Sequence, residues 1–520
     1  MSNNEEKRQH KNIRYGIIIT YVRLFISIAI GILYPPYLLG KVGLVDNGLY
    51  FFATSLITYT LLISLGMENS YVRFATISEK EKGEDGLKQI NGFYLISFAV
   101  MAGLMLIVGL VLSFLYGYGV IPYQGSTIES RKTLFYLLLI CSVSSSVDFF
   151  LSLFTWYVYY RSHFIFEQCL YLAIHVFTVL GCFLALYFGC NIVVVAVITA
   201  AVLLFFDLIG LCYALFKLKM SFKKPDSFGP LFKQIFSFTL YIFLMVIVST
   251  INANIGKTLL GQMVGMGTVT IFGYGLQFYM YESQISIAIS SQFSPRINSL
   301  VVNNQPQEVS NLFTKVSFLQ MIVLFLIVGG FASCGMDFIY AWLGNKGLSD
   351  GDLQGIFYLS LSFLLLGLIP LSQQLGLEIQ RAENKHKYLA VVNIICAVVS
   401  IGISALSIYL LPVDYKIFGP FIGMGISVMV GMVIFSSVYY QKELSLPIKR
   451  YFIDFLKIGL IAAFSWAIVF VLFRYAITLP ADLNKWWDAL IKGSSFLVIY
   501  SVFEYFGNKK QLKAVLSKRP

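Results

Sequence analysis

The chain has 520 residues, 58% of them hydrophobic, 16% aromatic and 12% charged, with a formal net charge of +12. A mean hydropathy of +0.77 excludes a water-soluble globule and a charge-rich disordered chain alike. The composition is that of an integral membrane protein, and without ten-residue alternating strands its spans are expected to be helices, which pair their backbone groups internally.

A hydrocarbon core of about 30 Å takes roughly 20 apolar residues per helical span. On that measure about fourteen spans are expected, near 16–39, 48–67, 92–116, 134–158, 164–188, 191–214, 235–256, 268–291, 316–335, 355–376, 388–411, 417–439, 452–475 and 486–507. The second, eighth and fourteenth are short or carry polar residues. The first is too long for a signal peptide, and "YPPYLLGKVG" has no small-residue cleavage site, so it is read as part of the mature protein.

Basic residues set the expected orientation. With the N-terminus placed in the cytoplasm, 27 Lys and Arg fall in tails and loops on that side and 8 on the other, leaving Arg23, Lys457 and Lys492 inside spans. An even span count returns the C-terminus to the same side. The positive charge therefore reads as topology and as attraction to anionic lipid. Split among loops, it forms no patch for nucleic acid.

Along the chain, Arg23 lies about seven residues, roughly 10 Å, inside the first span. It reads as a lumen-facing cation, as a snorkelling side chain or as half of a buried pair with an acid. Pro35 and Pro36, near the far end of that span, are either a hinge or a helix stop. Buried carboxylates are costly unless paired, protonated or wetted, so Asp148, Asp207 and Glu282, with Glu167 near a span end, are candidate coupling or charge-pair acids. Small polar neighbours surround both Asp148 and Glu282. These suit a wet lumen face or close helix packing. Gly419 and Gly423 in "GPFIGMG" form a small-xxx-small packing face, and tyrosines and tryptophans at span ends read as an interfacial belt. In "SQFSPRINSL", Pro295 and Arg296 stand where the eighth span stops, as a positive-inside anchor would.

Enzymatic chemistry finds little support. The seven cysteines show no CxxC pair and read as core fillers, and the four histidines are scattered, with His175 an interior residue and no metal site suggested. Walker A, GxSxG and dinucleotide fingerprints are lacking. The loops on the outer side are too short for a typical polymerase active site. The chain is thus expected to be no enzyme, with a membrane polysaccharide polymerase or ligase as the weaker alternative.

Internal order adds a repeat. "LLG" at Leu38–Gly40 and at Leu259–Gly261 is followed in each case by a short link, a span with paired Gly and Tyr, and an arginine, Arg73 and Arg296. Two pseudo-symmetric six-span halves are expected: residues 1–234 as an N-terminal lobe with its linker and 235–450 as a C-terminal lobe. Residues 451–520 follow as two additional spans and a basic tail. Two halves with even span counts share an orientation, as in parallel-repeat transporters.

These segments carry a family resemblance. "PPYLLGKVGLVDNGLY" with "SLGMENSYVRFA", "NANIGKTLLGQMVG" with "SPRINSL", "FIYAWLG" and "RAENKHKYLAVVN" stand in the order and spacing of Wzx-type polysaccharide-unit flippases, which this chain resembles. That family belongs to the superfamily that also holds multidrug and toxic-compound extruders and lipid II flippases. The resemblance covers nearly the whole chain, including the last two spans. One place departs: where the family often has an acid before the basic residue at the end of the seventh span, this chain has Gly256 before Lys257.

The resemblance implies a fold like that of the multidrug extruders. It also implies alternating-access transfer of an undecaprenyl-diphosphate-linked oligosaccharide (an O-antigen or capsule repeat unit) to the outer leaflet of a bacterial inner membrane. Arg23, Arg73, Arg296 and Lys257 would meet the diphosphate, for which arginine's planar fork is suited. No cofactor is implied, and a proton or sodium ion is the candidate coupling ion. Membrane lipids, a polysaccharide polymerase and chain-length machinery are the implied partners. An ion-coupled exporter of small cationic molecules is the alternative, and it would favour an acidic lumen.

Overall fold

A computed structural model shows an all-helical chain. It describes residues 3–516 apart from 384, 386, 478, 479 and 481–483, and the side chains from residue 22 onward other than 69, 241, 242 and 514–516. Parts of the basic N-terminal segment, of "RAENKHK", of the loop before Lys485 and of the basic tail lie outside the described residues.

Sixteen α-helices follow in order among the described residues. The first eight are α1 (Asn3–Thr60), α2 (Tyr71–Gly117), α3 (Ile128–Tyr160), α4 (Phe164–Tyr187), α5 (Ile192–Cys212), α6 (Phe228–Met263), α7 (Met266–Ser291) and α8 (Ser294–Val302). Then come α9 (Pro306–Leu343), α10 (Asp350–Ser372), α11 (Gln374–Ala382), α12 (Lys387–Leu410), α13 (Gly419–Ser427), α14 (Ser436–Glu443), α15 (Ile448–Val471) and α16 (Lys485–Leu516). Short 3₁₀ and π segments join some of them.

Among the described residues, 12 helices are long and apolar enough to cross a membrane, so the chain is a multi-pass membrane protein. Two further spans stand beyond that number. The first candidate runs 43 residues, Val22–Ser64, about 65 Å at 1.5 Å per residue, which is two bilayer crossings. It breaks at Gly43 (φ 84, ψ 174), a backbone region essentially reserved for glycine. Helix α7, the eighth expected span, has 26 residues but is too polar to qualify by composition, because Gln277, Glu282 and Gln284 interrupt it. All fourteen expected spans therefore have a helix.

Helix ends follow local chemistry. Thr127 and Ser130 form a capping box for α3, Ser349 and Asp352 one for α10, and Asn191 accepts from the Val194 amide at the start of α5. Pro295 sits in the first turn of α8 and Pro306 in the first turn of α9, where a missing N–H costs nothing. "SQFSPRINSL" is thus a helix restart. The loop around "EKEKGEDGLKQ" is also helical: α2 runs through it, broken at Gly83 (φ 64, ψ −149).

The chain divides into two compact units, residues 1–270 and 271–520. In the first, α2 packs chiefly on α3 around Tyr71, Phe93, Tyr94, Phe98, Phe149 and Leu153. Helix α6 belongs to this unit, packed on α1, so the contact division falls later in the chain than the expected repeat boundary at 234. The linker after α5 lies along α2. The Lys223 amide donates to the Lys88 carbonyl at 2.9 Å, Asn91 Nδ2 to the Ser221 carbonyl at 3.0 Å, and the Lys223 ammonium meets Asp85 at 2.9 Å. That carboxylate holds the Lys223 ammonium above the usual lysine range.

In the second unit α9 is the hub, packed on α10, α15 and α16. Phe313, Phe325, Leu364, Tyr451, Phe496 and Tyr500 form its core, so the helix pair α15–α16 shares one core with α9 and α10. Gly419 and Gly423 bring α13 close to α12: a Cβ at Gly423 would stand 2.5 Å from the Ser400 carbonyl oxygen, and one at Gly419 2.8 Å from the Ile408 amide. The small-residue face is a packing face, as the spacing suggested.

Candidate substrate and ion-coupling sites

In the first unit several intramembrane charges gather around one face of α4. Glu167, Tyr171 and His175 stand four residues apart along α4, hence on a single stripe. Arg23 of α1 lies against that stripe, its guanidinium carbon 5.4 Å from the centre of the Tyr171 ring. It therefore faces α4, while its neighbour Phe25 is 71% exposed. No acid comes within ion-pair distance of Arg23 among the described residues. Glu167 is the acid on its stripe, buried, with one carboxylate oxygen lacking any hydrogen-bond partner among the described residues.

Asp148 of α3 and Asp207 of α5 meet side chain to side chain within hydrogen-bonding reach. Two carboxyls that face each other can share a hydrogen bond only when one of them carries the hydrogen, and one Asp207 oxygen has no hydrogen-bond partner among the described residues. Both lie within electrostatic reach of Tyr171, as do Glu167 and Arg23. Glu68 adds a further carboxyl near Asp148. The serines before Asp148 serve close packing at least in part: Ser142 lies in the gap left by Gly109 of α2.

The other candidate residues of this unit make no contact with that cluster among the described residues. Lys257 is half-buried within α6 and has no hydrogen-bond or ion-pair partner among the described residues. One turn before it, Asn254 is buried and donates to the Thr250 carbonyl; beside it, Thr258 meets the Tyr59 hydroxyl at 3.4 Å. Arg73 is exposed in the first turn of α2, its guanidinium carbon 4.1 Å from the centre of the Phe238 ring of α6. Pro35 and Pro36 lie inside α1, and the break in that helix comes at Gly43.

In the second unit Glu282 of α7 is 1% exposed, and neither carboxylate oxygen has a hydrogen-bond partner among the described residues. Its carboxylate lies beside Gly367 of α10, where a Cβ would stand 2.8 Å from Oε2. It lines a cavity of about 380 Å³ whose other walls are largely aromatic and aliphatic, among them Phe278, Tyr281, Phe331, Phe338 and Phe496. One turn along α7, Ser286 donates to the Leu371 carbonyl at 2.6 Å and receives the Gln320 amide at 3.0 Å. The Gln320 oxygen is left without a partner among the described residues. Arg296, on α8, is exposed and unpaired among the described residues.

Sequence reasoning did not single out Tyr171, Glu68 or Gln320. The four-residue period of Glu167, Tyr171 and His175 was available in the sequence; Gln320 had no local signal, since only its partner on another helix marks it.

No protein-family model and no curated protein sequence matches the chain. Solved structures do. Over 95% of this chain and 100% of the other, it is similar to the lipid II flippase MurJ in an inward closed conformation, at 16% identity and a TM-score of 0.73. It is also similar to an inward-facing MATE-family multidrug resistance transporter of the MOP superfamily, over 84% of this chain and 99% of that one, at 14% identity and a TM-score of 0.60. A third similar structure is a MATE protein in a bent conformation, covering 84% of this chain and 96% of that one, at 15% identity and a TM-score of 0.55. The fold is thus the one that MurJ and the MATE transporters share.

Proposed function

We propose that the chain is a Wzx-type flippase of the MOP superfamily. In this reading it moves an undecaprenyl-diphosphate-linked oligosaccharide from the cytoplasmic to the outer leaflet of a bacterial inner membrane. Both termini are cytoplasmic, as the uneven count of basic residues favours. The observation that carries the reading is the extent of the likeness: 95% of the chain for a flippase of a lipid-linked substrate, against 84% for the multidrug transporter. That difference is about the size of the α15–α16 pair, which is built into the core of the second unit.

The cargo's diphosphate and sugars cannot cross hydrocarbon unaided, whereas its polyprenyl tail can remain in lipid. Arg73 and Arg296, each exposed and without an ion-pair partner among the described residues, are each assigned to contact with the diphosphate on the cytoplasmic side. Arg23 and Lys257 are assigned to its passage. Arginine presents parallel donors to phosphate oxygens and stays charged throughout. The Asp148–Asp207 pair is assigned to proton coupling and Glu282 to a coupling cation, a proton or sodium ion. Each is an acidic group whose neighbours leave room for that kind of partner: two facing carboxyls that can share a hydrogen in the first case, and two oxygens unpaired among the described residues in the second. A polysaccharide polymerase and chain-length machinery would take the product on the outer side, and no reaction is catalysed.

One observation favours a second reading. The cluster on α3, α4 and α5 holds Glu167, Asp148 and Asp207 against Arg23 alone, with Glu68 beside it, and an acid-rich cluster suits an ion-coupled exporter of cationic molecules. Gene deletion separates the two. For a flippase, lipid-linked repeat units accumulate on the inner leaflet and surface polymer is lost. Normal surface polymer in a strain without a redundant flippase, together with new sensitivity to cationic compounds, would establish the exporter instead.

A further inference from the structure

Basic residues are scarce on the side of the membrane opposite the N-terminus, 8 of the 38. Two of those eight, Arg474 and Lys485, converge with the intramembrane Lys492 on one place in the second unit. A cavity of about 230 Å³ opens there between α9, α15 and α16, with Ser333, Trp466, Phe470, Phe473, Arg474 and Lys492 in its walls. No acid lines it among the described residues. Asp337, one turn beyond Ser333, stands behind it: Lys492 ion-pairs with Asp337, and Lys485 meets Asp337 at 3.6 Å and Asp488 at 3.3 Å. These contacts hold Lys492 at the cavity wall with its charge partly compensated. Arg474, in the π-helical turn Leu472–Ala476 that ends α15, is exposed and has no ion-pair or hydrogen-bond partner among the described residues.

We infer that this cavity is a binding site for the phosphate headgroup of a membrane lipid in the leaflet opposite the N-terminus. Three cations, Arg474, Lys485 and Lys492, meet two carboxylates, Asp337 and Asp488, among the described residues, which leaves one positive charge for an external anion. Arg474 supplies a bidentate donor that is uncommitted among the described residues, and Lys492 a second positive charge facing the same space. The wall formed by Trp466, Phe470 and Phe473 is apolar and continuous with the outer surface of α15, where Phe464 and Phe470 are more than half exposed. A lipid can therefore seat its phosphate at the two cations and lay its chain along these rings, with Trp466 two turns further along the helix toward the membrane interior. The site stands apart from the flippase reading: the same chemistry fits a bulk anionic phospholipid or a prenyl diphosphate.

The test uses the full-length protein in detergent micelles, with phosphatidylglycerol and undecaprenyl diphosphate titrated separately and retained lipid counted by native mass spectrometry. Arg474→Gln should weaken binding of at least one of them about tenfold, the scale of one lost charge-assisted contact. Arg474→Lys should restore most of it, and Arg131→Gln, a basic residue of the same side but of the first unit, should leave it unchanged. Trp466→Leu gives a second variant that leaves both cations in place and should reduce retention less. Selective loss of phosphatidylglycerol identifies a phospholipid site; selective loss of the prenyl diphosphate identifies a site for the transported class. If Arg474→Gln retains both lipids as the unmodified protein does, the inference is wrong.

Discussion

Arg73 and Phe238 join α2 to α6 through a cation–ring contact of 4.1 Å, with no carboxylate taking the charge among the described residues. The guanidinium is thereby oriented by a neighbour that does not neutralise it. An aromatic face contributes about 0.5–1 kcal/mol at an exposed site, enough to restrain the side chain and too little to hold it against a phosphate.

Arg73→Ala and Arg296→Ala are each expected to lower transport of a lipid-linked saccharide several-fold while leaving membrane topology unchanged. Cysteine accessibility labelling at the two membrane faces checks the topology, and a fluorescent-lipid flipping assay in proteoliposomes checks the transport. Phe238→Leu, which removes the ring and keeps the charge, should have a smaller effect than Arg73→Ala. Unimpaired transport in both alanine variants would reduce these arginines to topology anchors.

Asp148→Asn and Asp207→Asn are each expected to abolish the dependence of transport on a proton gradient. If the two carboxyls act as one coupling unit, the double variant should be no worse than either single one. Transport is measured in proteoliposomes with the internal and external pH set independently. A single variant that keeps full proton dependence would show that the pair is only a packing contact.

Glu282→Gln should raise the thermal unfolding midpoint, since a buried carboxylate without a partner among the described residues is replaced by a neutral amide of the same shape. Relief of the desolvation cost of one such group is worth about 1–3 kcal/mol. The same substitution should remove any stimulation of transport by sodium or by protons acting at this unit. A drop in the midpoint would mean that the carboxylate is held by a cation in the protein as isolated.

Gly423→Leu should cut the yield of folded protein sharply, because its side chain would run into Ser404 and the Ser400 carbonyl across the α12–α13 contact. Overpacking of this kind costs roughly 1–3 kcal/mol. Size-exclusion profiles in detergent are the readout, and Gly425→Leu, where a Cβ would meet nothing within 4 Å, is the control.

Much of the helical architecture was legible because lipid makes the rule simple: an apolar stretch of bilayer length must become a helix. Even the polar eighth span could be placed, since the run from 268 to 291 keeps enough apolar residues for one crossing despite Gln277, Glu282 and Gln284. Pairings between distant helices were not legible. Asp148 and Asp207 are 59 residues apart, and only the angles at which α3 and α5 lie bring their side chains together. Lys492 could be seen inside a span, but its partner Asp337 lies 155 residues earlier. Arg23 illustrates the middle ground. A buried pair with an acid was one expected outcome, and the four-residue stripe on α4 supplies Glu167 at electrostatic range with Tyr171 as the group actually touched.

Gly43 and Gly83 break α1 and α2 at exposed positions where a Cβ would meet nothing within 4 Å. A saturation mutational scan should therefore find two sites of strong intolerance on an otherwise permissive surface. Every replacement fits the space, but none adopts the torsion angles without strain. Contact-based reasoning would class both positions as neutral, and their fitness profiles should look like those of core residues.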